Sequence, residues 1–473
     1  MGRDKLRILQ VNTRDIRGGA SQVSWNLHQS YGSLNQNAWM AVGRRFRNVL
    51  RVVEIPNNAA KPFYARHLLK IADNLDSVSG GSRPKSLLRE ILCILAEPQR
   101  FLDAFRGVED FNHPGTWKLL ELIPEPPNIL HCHNLHGGYF DLRALPWLNQ
   151  KLPIVVTLHD TWLFSGHCSH FFDCQRWKIG CGQCPDLSIY PAIRRDSTAF
   201  NWRRKQRISK STSLYLATPS RWLMDKVQQS LLMPNAIECR VIPNGVKLST
   251  FHPADKKMVR SALDIPLAAK VLLFAALGIR GRNFKDYNTI KDAAALVAER
   301  LPDQDVLLIA LGEDAPVERI GEAEVRFVPY QADPRTVAMY YQATDVYVHA
   351  AKAEVWGLTI TEALACGTPV MATAVGGIPE QIKAMNWAAT NGAFETYGLG
   401  KATGFLVPAA DPRTMGEALT VLLTDEAMLE RLGENAAKDA RTRFDLNQQV
   451  AEYLGWYQEI VGSKSTSYYT NLP

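Results

Sequence analysis

The stretch from Asp345 to Thr373 leaves little freedom in how the chain can fold. Asp345-Val346-Tyr347-Val348-His349 reads as a short apolar strand. Thr359 to Ala365 has the composition of a helix, closed by Cys366-Gly367 and Pro369, and Val370 to Thr373 is the next strand. A loop carrying Glu354 and Gly357 joins the first strand to the helix. This order fits an open parallel sheet, in which a loop that leaves a strand and opens a helix lies at the carboxyl edge, where ligands bind.

A helix start offers unpaired N–H groups and the positive end of the dipole, so an anion fits at Gly357, Leu358 and Thr359. Glu362 lies inside the helix, with seven residues between it and Glu354. A carboxylate there cannot bind phosphate, but it accepts hydrogen bonds from neutral hydroxyls such as a ribose diol. The stretch therefore suits a ligand with both phosphate and sugar hydroxyls. The plainer alternative is that both glutamates are solvated charges.

Similar strand ends recur along the chain. Leu6 to Val11 is a strand, and Gly18-Gly19 opens a helix over Ala20 to Leu34; paired glycines let a backbone approach a phosphate closely. Val271 to Ala275 is a strand followed by Gly278-Ile279-Arg280-Gly281-Arg282-Asn283-Phe284-Lys285 and a helix from Tyr287. Cations on a glycine-rich loop suit a pyrophosphate, since Arg forks onto two oxygens and Lys acts as a point charge. The strands Ile129 to His133 and Ile154 to His159 end in imidazoles that can donate to a sugar or phosphate oxygen, with Asp160 adjacent. Asp303-Gln304-Asp305 imitates a metal-binding Asp-x-Asp, but it precedes the strand Val306 to Leu311 and so lies at the wrong edge; no catalytic metal or other catalytic cofactor is expected.

Cys168, Cys174, Cys181 and Cys184 fall close together, the last two as Cys-x-x-Cys with glycine between. Thiolates at this spacing can close a tetrahedral zinc site and give a loop without its own core the energy to hold shape. Two disulfides, an iron–sulfur cluster and free thiols are the other readings.

At 473 residues the chain is too long for one core. A hydrophobic content of 46% and a charged content of 21% belong to a globular protein, and a net charge of +7 fits an anionic substrate or an anionic membrane surface without arguing for nucleic acid. No run of about 18 uncharged apolar residues predicts a transmembrane helix, and no signal peptide is read at the N-terminus, so a cytoplasmic location is expected. From Lys61 to Trp117, Phe63, Leu68, Leu69 and Ile71, and then Leu87, Leu88, Ile91, Leu92, Leu95, Phe101 and Phe105, recur at helical spacing among basic residues such as Arg66 and Lys70. Such helices pack on their own domain or lie peripherally at the inner face of a membrane.

Glu354, seven residues, then Glu362, with Gly357-Leu358 between and Gly367-Thr368-Pro369-Val370 after, resembles the signature of retaining glycosyltransferases of family 4. Trp356 stands where that family usually has Phe. The resemblance covers most of the chain. The span from Leu158-His159-Asp160 to Gly180-Cys181-Gly182-Gln183-Cys184-Pro185 is similar to bacterial exopolysaccharide and colanic-acid-type members with a cysteine-rich loop.

The resemblance implies an α/β GT-B fold, two Rossmann-like domains with parallel sheets facing across a cleft. Residues 1–242 would form the acceptor-side domain, with a helical insertion at 61–117 and the Cys-rich loop at 165–190. Residues 243–443 would form the donor-nucleotide domain, and a helix over 444–473 would cross back. It further implies a retaining hexosyltransferase that moves a sugar from a nucleotide-diphosphate donor to a saccharide or lipid-linked saccharide acceptor in cell-surface polysaccharide biosynthesis.

In this picture Gly18 and Gly19 face the donor's sugar-phosphate and His159 lies near the reacting sugar. Arg282 or Arg280, Lys285 and the helix start at Gly357, Leu358 and Thr359 stabilise the leaving diphosphate. Glu362 holds the ribose, and Glu354 binds sugar hydroxyls or supports the anomeric centre. The competing readings are a GT-B-fold epimerase or phosphorylase and a non-catalytic nucleotide-sugar-binding protein.

Overall fold

A computed structural model describes residues 5–77, 83–280, 284–386 and 394–469. The chain divides into two compact units, one of Met1–Thr218, Met224–Val241 and Tyr453–Pro473, the other of Pro219–Leu223 and Ile242–Glu452.

The first unit is built on seven strands, β1 (Arg7–Arg14), β2 (Asn37–Arg44), β3 (Val52–Glu54), β4 (Ile129–Cys132), β5 (Ile154–Thr157), β6 (Leu214–Thr218) and β7 (Ala236–Val241). They lie in the order β3-β2-β1-β4-β5-β6-β7, and every pair is parallel. Helices cover both faces of such a sheet, so its central strands are buried throughout: all residues of β4, β5 and β6 are buried. The strand order reverses between β1 and β4, and the loops leaving these two strands meet there.

The second unit carries β8 (Lys270–Ala275), β9 (Val306–Leu311), β10 (Glu318–Ile320), β11 (Ala323–Val328), β12 (Val346–His349), β13 (Val370–Thr373), β14 (Ala384–Met385), β15 (Thr396–Tyr397) and β16 (Gly404–Val407). Their order is β10-β11-β9-β8-β12-β13-β16-β14-β15, parallel except for β10 with β11. Here the reversal falls between β8 and β12. The loop carrying Lys285 leaves β8 and the loop carrying Glu354 leaves β12, so the switch point brings together residues far apart in sequence. Their backbones pair directly: Lys352 N donates to Phe284 O at 2.9 Å and Asp286 N to Ala350 O at 3.0 Å.

Several boundaries differ from the sequence reading. The last helix runs Leu446–Tyr469, not from Phe444, which caps the helix Glu426–Arg443. The helix expected over Ala20 to Leu34 runs Gly19–Ser33, and the one expected from Thr359 begins at Leu358. Tyr453, Trp456 and Tyr457 of the last helix are fully buried and anchor it in the first unit. The Tyr453 hydroxyl is 2.7 Å from Thr157 Oγ1, and the Tyr457 hydroxyl is 2.7 Å from His131 Nδ1 and 3.2 Å from the Tyr31 hydroxyl.

Candidate active site

In the second unit the site grows from the carboxyl ends of β8 and β12. Lys285 Nζ donates to Glu354 Oε2 at 2.5 Å and lies 2.9 Å from Nε2 of the fully buried His349. Lys285 and Glu354 side chains are only 17% and 18% exposed, so their attraction is little screened by water. Burial alone would raise the Glu354 carboxyl, but the Lys285 ammonium outweighs it and holds it far below the usual carboxylate range. Burial, and then Lys285, lower His349 to about 4, so its ring is neutral at pH 7. The sequence reading placed Lys285 on phosphate and Glu354 on sugar; the two side chains pair with each other.

The helix Leu358–Ala365 begins at Gly357, as a phosphate-binding helix would. Gly357 itself is a correction. Its N–H is donated to Gln381 Oε1 at 2.9 Å, so it is not available to a ligand; the N–H groups of Leu358 and Thr359 form the open first turn. Glu362, one turn in, accepts from the Tyr341 hydroxyl at 3.0 Å. Burial pushes its carboxyl up to about 7, with the Tyr341 bond acting against this.

The glycine-rich loop after β8 also departs from expectation. Arg280 is already engaged: its N and Nε donate to Glu313 at 2.8 and 2.6 Å, and Nη1 to Glu318 at 3.1 Å. A guanidinium shared by two carboxylates is a poor phosphate ligand, because binding would first have to break these charged bonds. Arg282 lies outside the described residues.

In the first unit, Gly18 caps the helix Gly19–Ser33 with φ of 99°, and an added Cβ would meet nothing within 4 Å. The demand for glycine there is conformational rather than steric. His159 Nε2 is 3.0 Å from His133 Nδ1, with the two rings stacked, and burial lowers His159 to about 4. Asp160 Oδ2 bonds His136 Nε2 at 2.7 Å and Asp160 Oδ1 accepts from Trp162 N at 2.9 Å. Burial alone would raise Asp160, but His136 outweighs it and the carboxyl stays ionised. These groups line a small cavity with Asn134, Thr157 and Leu163.

The zinc expectation for the cysteine-rich loop finds no support. Among the described residues, no three His, Cys, Asp or Glu side chains come together to hold a metal ion, and Cys168, Cys174, Cys181 and Cys184 are free thiols. The loop also has a core of its own. Phe164, Phe171 and Trp177 are buried at 0%, 4% and 1% exposure, with Phe171 and Trp177 stacked 4.8 Å apart. Cys184 N donates to Asp196 Oδ2 at 2.7 Å and Gly182 N to Thr198 Oγ1 at 2.9 Å, which ties the loop to the helix Thr198–Lys210.

Sequence reasoning missed His349, Tyr347 and Gln381. A histidine inside an otherwise apolar strand was the available signal for the first.

Two parallel α/β units with ligand loops at their switch points define the GT-B class, and the chain carries glycosyltransferase family 4 and group 1 domains. The family model "Glycosyltransferase Family 4" matches residues 78–250, and "Glycosyl transferases group 1" matches residues 260–439. An Escherichia coli K12 protein named as a colanic acid biosynthesis glycosyl transferase, WcaC, is 26% identical over 52% of this chain and 60% of its own length. The D-inositol 3-phosphate glycosyltransferase of Kineococcus radiotolerans is 32% identical over 42% of this chain and 47% of its own. The chain thus spans about half the length of the curated relatives it matches.

Among solved structures, Anabaena HepE in complex with UDP-glucose aligns at a TM-score of 0.57 with 17% identity, over 95% of this chain and 99% of that one. WaaG, a glycosyltransferase involved in lipopolysaccharide biosynthesis, aligns at 0.56 with 16% identity, over 96% and 100%. At such identities these likenesses speak for the fold alone.

Proposed function

We propose that the protein is a retaining glycosyltransferase that takes a sugar from a nucleoside-diphosphate donor and passes it to a saccharide or lipid-linked saccharide acceptor in cell-surface polysaccharide synthesis. The observation that carries this reading is the juxtaposition of Lys285, Glu354 and the first turn of the helix Leu358–Ala365 at the switch point of the second unit. A half-buried ammonium beside open helix N–H groups is a site for developing negative charge, and stabilising such charge is usually the largest catalytic effect available. Each charged hydrogen bond to a leaving diphosphate contributes roughly 1.5–3 kcal/mol.

In this reading the donor diphosphate takes an N–H of Lys285 that Glu354 leaves open, and the carboxylate's other oxygen meets the sugar. Glu362 accepts the ribose hydroxyls. His159 and the Gly18-Gly19 turn are candidate contacts to the sugar. Retention follows from same-face attack with the leaving phosphate taking the acceptor proton, so no side chain is assigned as general base.

The helices Phe63–Ser77 and Arg83–Ala96 expose Phe63, Tyr64, Leu87, Leu88 and Leu95, with Arg66 and Lys70 beside the first pair. An amphipathic pair of this kind supports peripheral contact with an anionic membrane, where a lipid-linked acceptor resides. Among the described residues, no helix is long and apolar enough to cross one.

The test is a panel of uridine, guanosine, adenosine and thymidine diphosphate sugars, scored for hydrolysis and transfer, with the anomeric configuration of the product read by NMR. One donor class should be turned over by the wild type and not by Lys285→Ala. Turnover of none, with no nucleoside diphosphate bound, would overturn the reading.

A further inference from the structure

His349 is a group that the donor-site reading does not use. It ends β12 at the switch point and is fully buried, with Nε2 2.9 Å from Lys285 Nζ and 3.5 Å from Glu354 Oε2. Its Nδ1 is 3.0 Å from the hydroxyl of Tyr347, which is two residues earlier on the same strand and therefore on the same face. The ring of Phe274, from β8, lies edge-on at 6.4 Å and brings no polar group. Among the described residues, Lys285, Glu354 and Tyr347 are thus the polar groups that the neighbouring elements turn toward this imidazole.

The chemistry of these partners selects one state of the ring. An ammonium has only N–H donors, so the imidazole nitrogen that faces it at hydrogen-bond distance must accept. A neutral imidazole has one N–H, and that proton then sits on Nδ1, where the Tyr347 oxygen accepts it. Glu354 takes a second N–H of Lys285. With two of its three N–H groups held, the ammonium no longer rotates, and the third points in a fixed direction. Tyr347 in turn has the Thr359 side chain as a hydrogen-bonding neighbour, in the first turn of the helix Leu358–Ala365. One buried chain of contacts therefore runs from the lysine to the helix start.

We propose that His349 is a positioning residue: as the neutral Nδ1–H tautomer it accepts a hydrogen bond from Lys285 and fixes the direction in which the ammonium presents its remaining N–H to a diphosphate. The anion-binding part of this inference rests on the donor-site reading, whereas the tautomer does not.

Two measurements on the full chain test it. In protein carrying 15N-labelled histidine, the His349 signals are assigned by their loss in His349→Gln. They should show an Nδ1–H ring whose state does not change between about pH 5.5 and about 8. An Nε2–H tautomer, or a cationic ring at neutral pH, overturns the proposal. Second, inorganic pyrophosphate and UDP are titrated calorimetrically into wild type, His349→Leu and His349→Gln, with the thermal midpoint of each variant recorded.

His349→Leu should bind pyrophosphate roughly tenfold more weakly. His349→Gln, whose amide oxygen can still accept from Lys285, should recover most of the loss even if both variants are equally destabilised. A folded His349→Leu with wild-type affinity, or two variants that lose affinity in proportion to stability, overturns the proposal. A wild type that binds neither probe refutes the donor-site reading instead, and the tautomer still decides the role of His349 toward Lys285.

Discussion

The Gln381 side-chain amide holds both backbone polar groups of Gly357: Oε1 accepts from Gly357 N at 2.9 Å, and Nε2 donates to Gly357 O at 2.8 Å. Gln381 is fully buried, so neither bond is exchanged for water. The Gly376-Gly377 turn supports the same loop from beneath. Gly377 N donates to Glu354 O at 3.0 Å, and a Cβ at Gly376 would lie 1.8 Å from that oxygen. The start of the candidate phosphate-binding helix is thus set by a residue more than twenty positions away. Gln381→Leu leaves the buried Gly357 N–H without a partner, at a cost of roughly 1–3 kcal/mol. Its thermal midpoint should fall, and nucleoside-diphosphate affinity should weaken with it. An unchanged midpoint would show that the clamp does not hold the loop.

Glu354 and Lys285 make opposite demands on an anion. In Glu354→Gln the ammonium loses its counter-charge, so pyrophosphate should bind several-fold more tightly, within the roughly 1–3 kcal/mol of a charge-assisted bond. Sugar transfer should fall in the same variant, because the carboxylate proposed to meet the sugar is gone. Calorimetry and steady-state kinetics read the two effects separately. Weaker pyrophosphate binding would contradict the competition between carboxylate and phosphate.

Glu362 titrates near neutrality, because burial pushes its carboxyl up to about 7. Only the ionised carboxylate accepts two hydroxyl protons from a ribose. Nucleoside-diphosphate affinity should therefore rise with pH through about 7. Glu362→Gln, which does not titrate, should show only the pH dependence of the ligand's own phosphate. Parallel pH curves for the two proteins would exclude a role for Glu362 ionisation.

Burial also lowers His28 and His159 to about 4 and His131 to about 3, with His133 shifted the same way. Between the unfolded value near 6.5 and these folded values, the unfolded chain takes up protons that the folded one does not. This stability is fully present above about pH 6.5 and is lost as pH falls toward 4, at up to about 1.4 kcal/mol per pH unit for each ring. All four rings lie in the first unit, so its thermal midpoint should drop between about pH 6.5 and about 5, above the range in which carboxylates titrate. His159→Gln should make the slope shallower. A midpoint that stays flat over this interval would mean that these rings protonate without cost.

The exposed apolar side chains of the helices Phe63–Ser77 and Arg83–Ala96 make the proposed membrane contact measurable. The wild type should float with vesicles of phosphatidylglycerol and phosphatidylcholine, and much less with phosphatidylcholine alone. Replacing Phe63, Leu87 and Leu88 with Ser should reduce flotation at least several-fold, since each removes about 1.5–3 kcal/mol of apolar burial in the lipid. Full flotation of this variant would assign the exposed residues to something other than lipid.

Much of the architecture was legible because it is written in local periodicity. Uninterrupted apolar runs with turn residues at both ends mark Leu214–Thr218, Val306–Leu311 and Val370–Thr373 as buried parallel strands, and the strand–loop–helix order around Glu354 marks a ligand edge. These features depend on neighbours a few residues away. The core of the cysteine loop is the complementary case: Phe164, Phe171 and Trp177 pack together in space, which spacing along the chain does not reveal.

Sequence alone determined the alternation of strands and helices, the class of fold, and the kinds of side chain that a phosphate-and-sugar ligand would need. Tertiary structure decided which of those side chains are available. Strand order sets β8 beside β12, and only then do Lys285, His349 and Glu354 share one buried hydrogen-bonded cluster. The same geometry removes Arg280 by pairing it with Glu313 and Glu318, and it removes the Gly357 N–H through Gln381. Backbone periodicity is a short-range property of the chain. A charge or an N–H group is spent on whatever partner the sheet brings within about 3 Å, and that partner is chosen by topology.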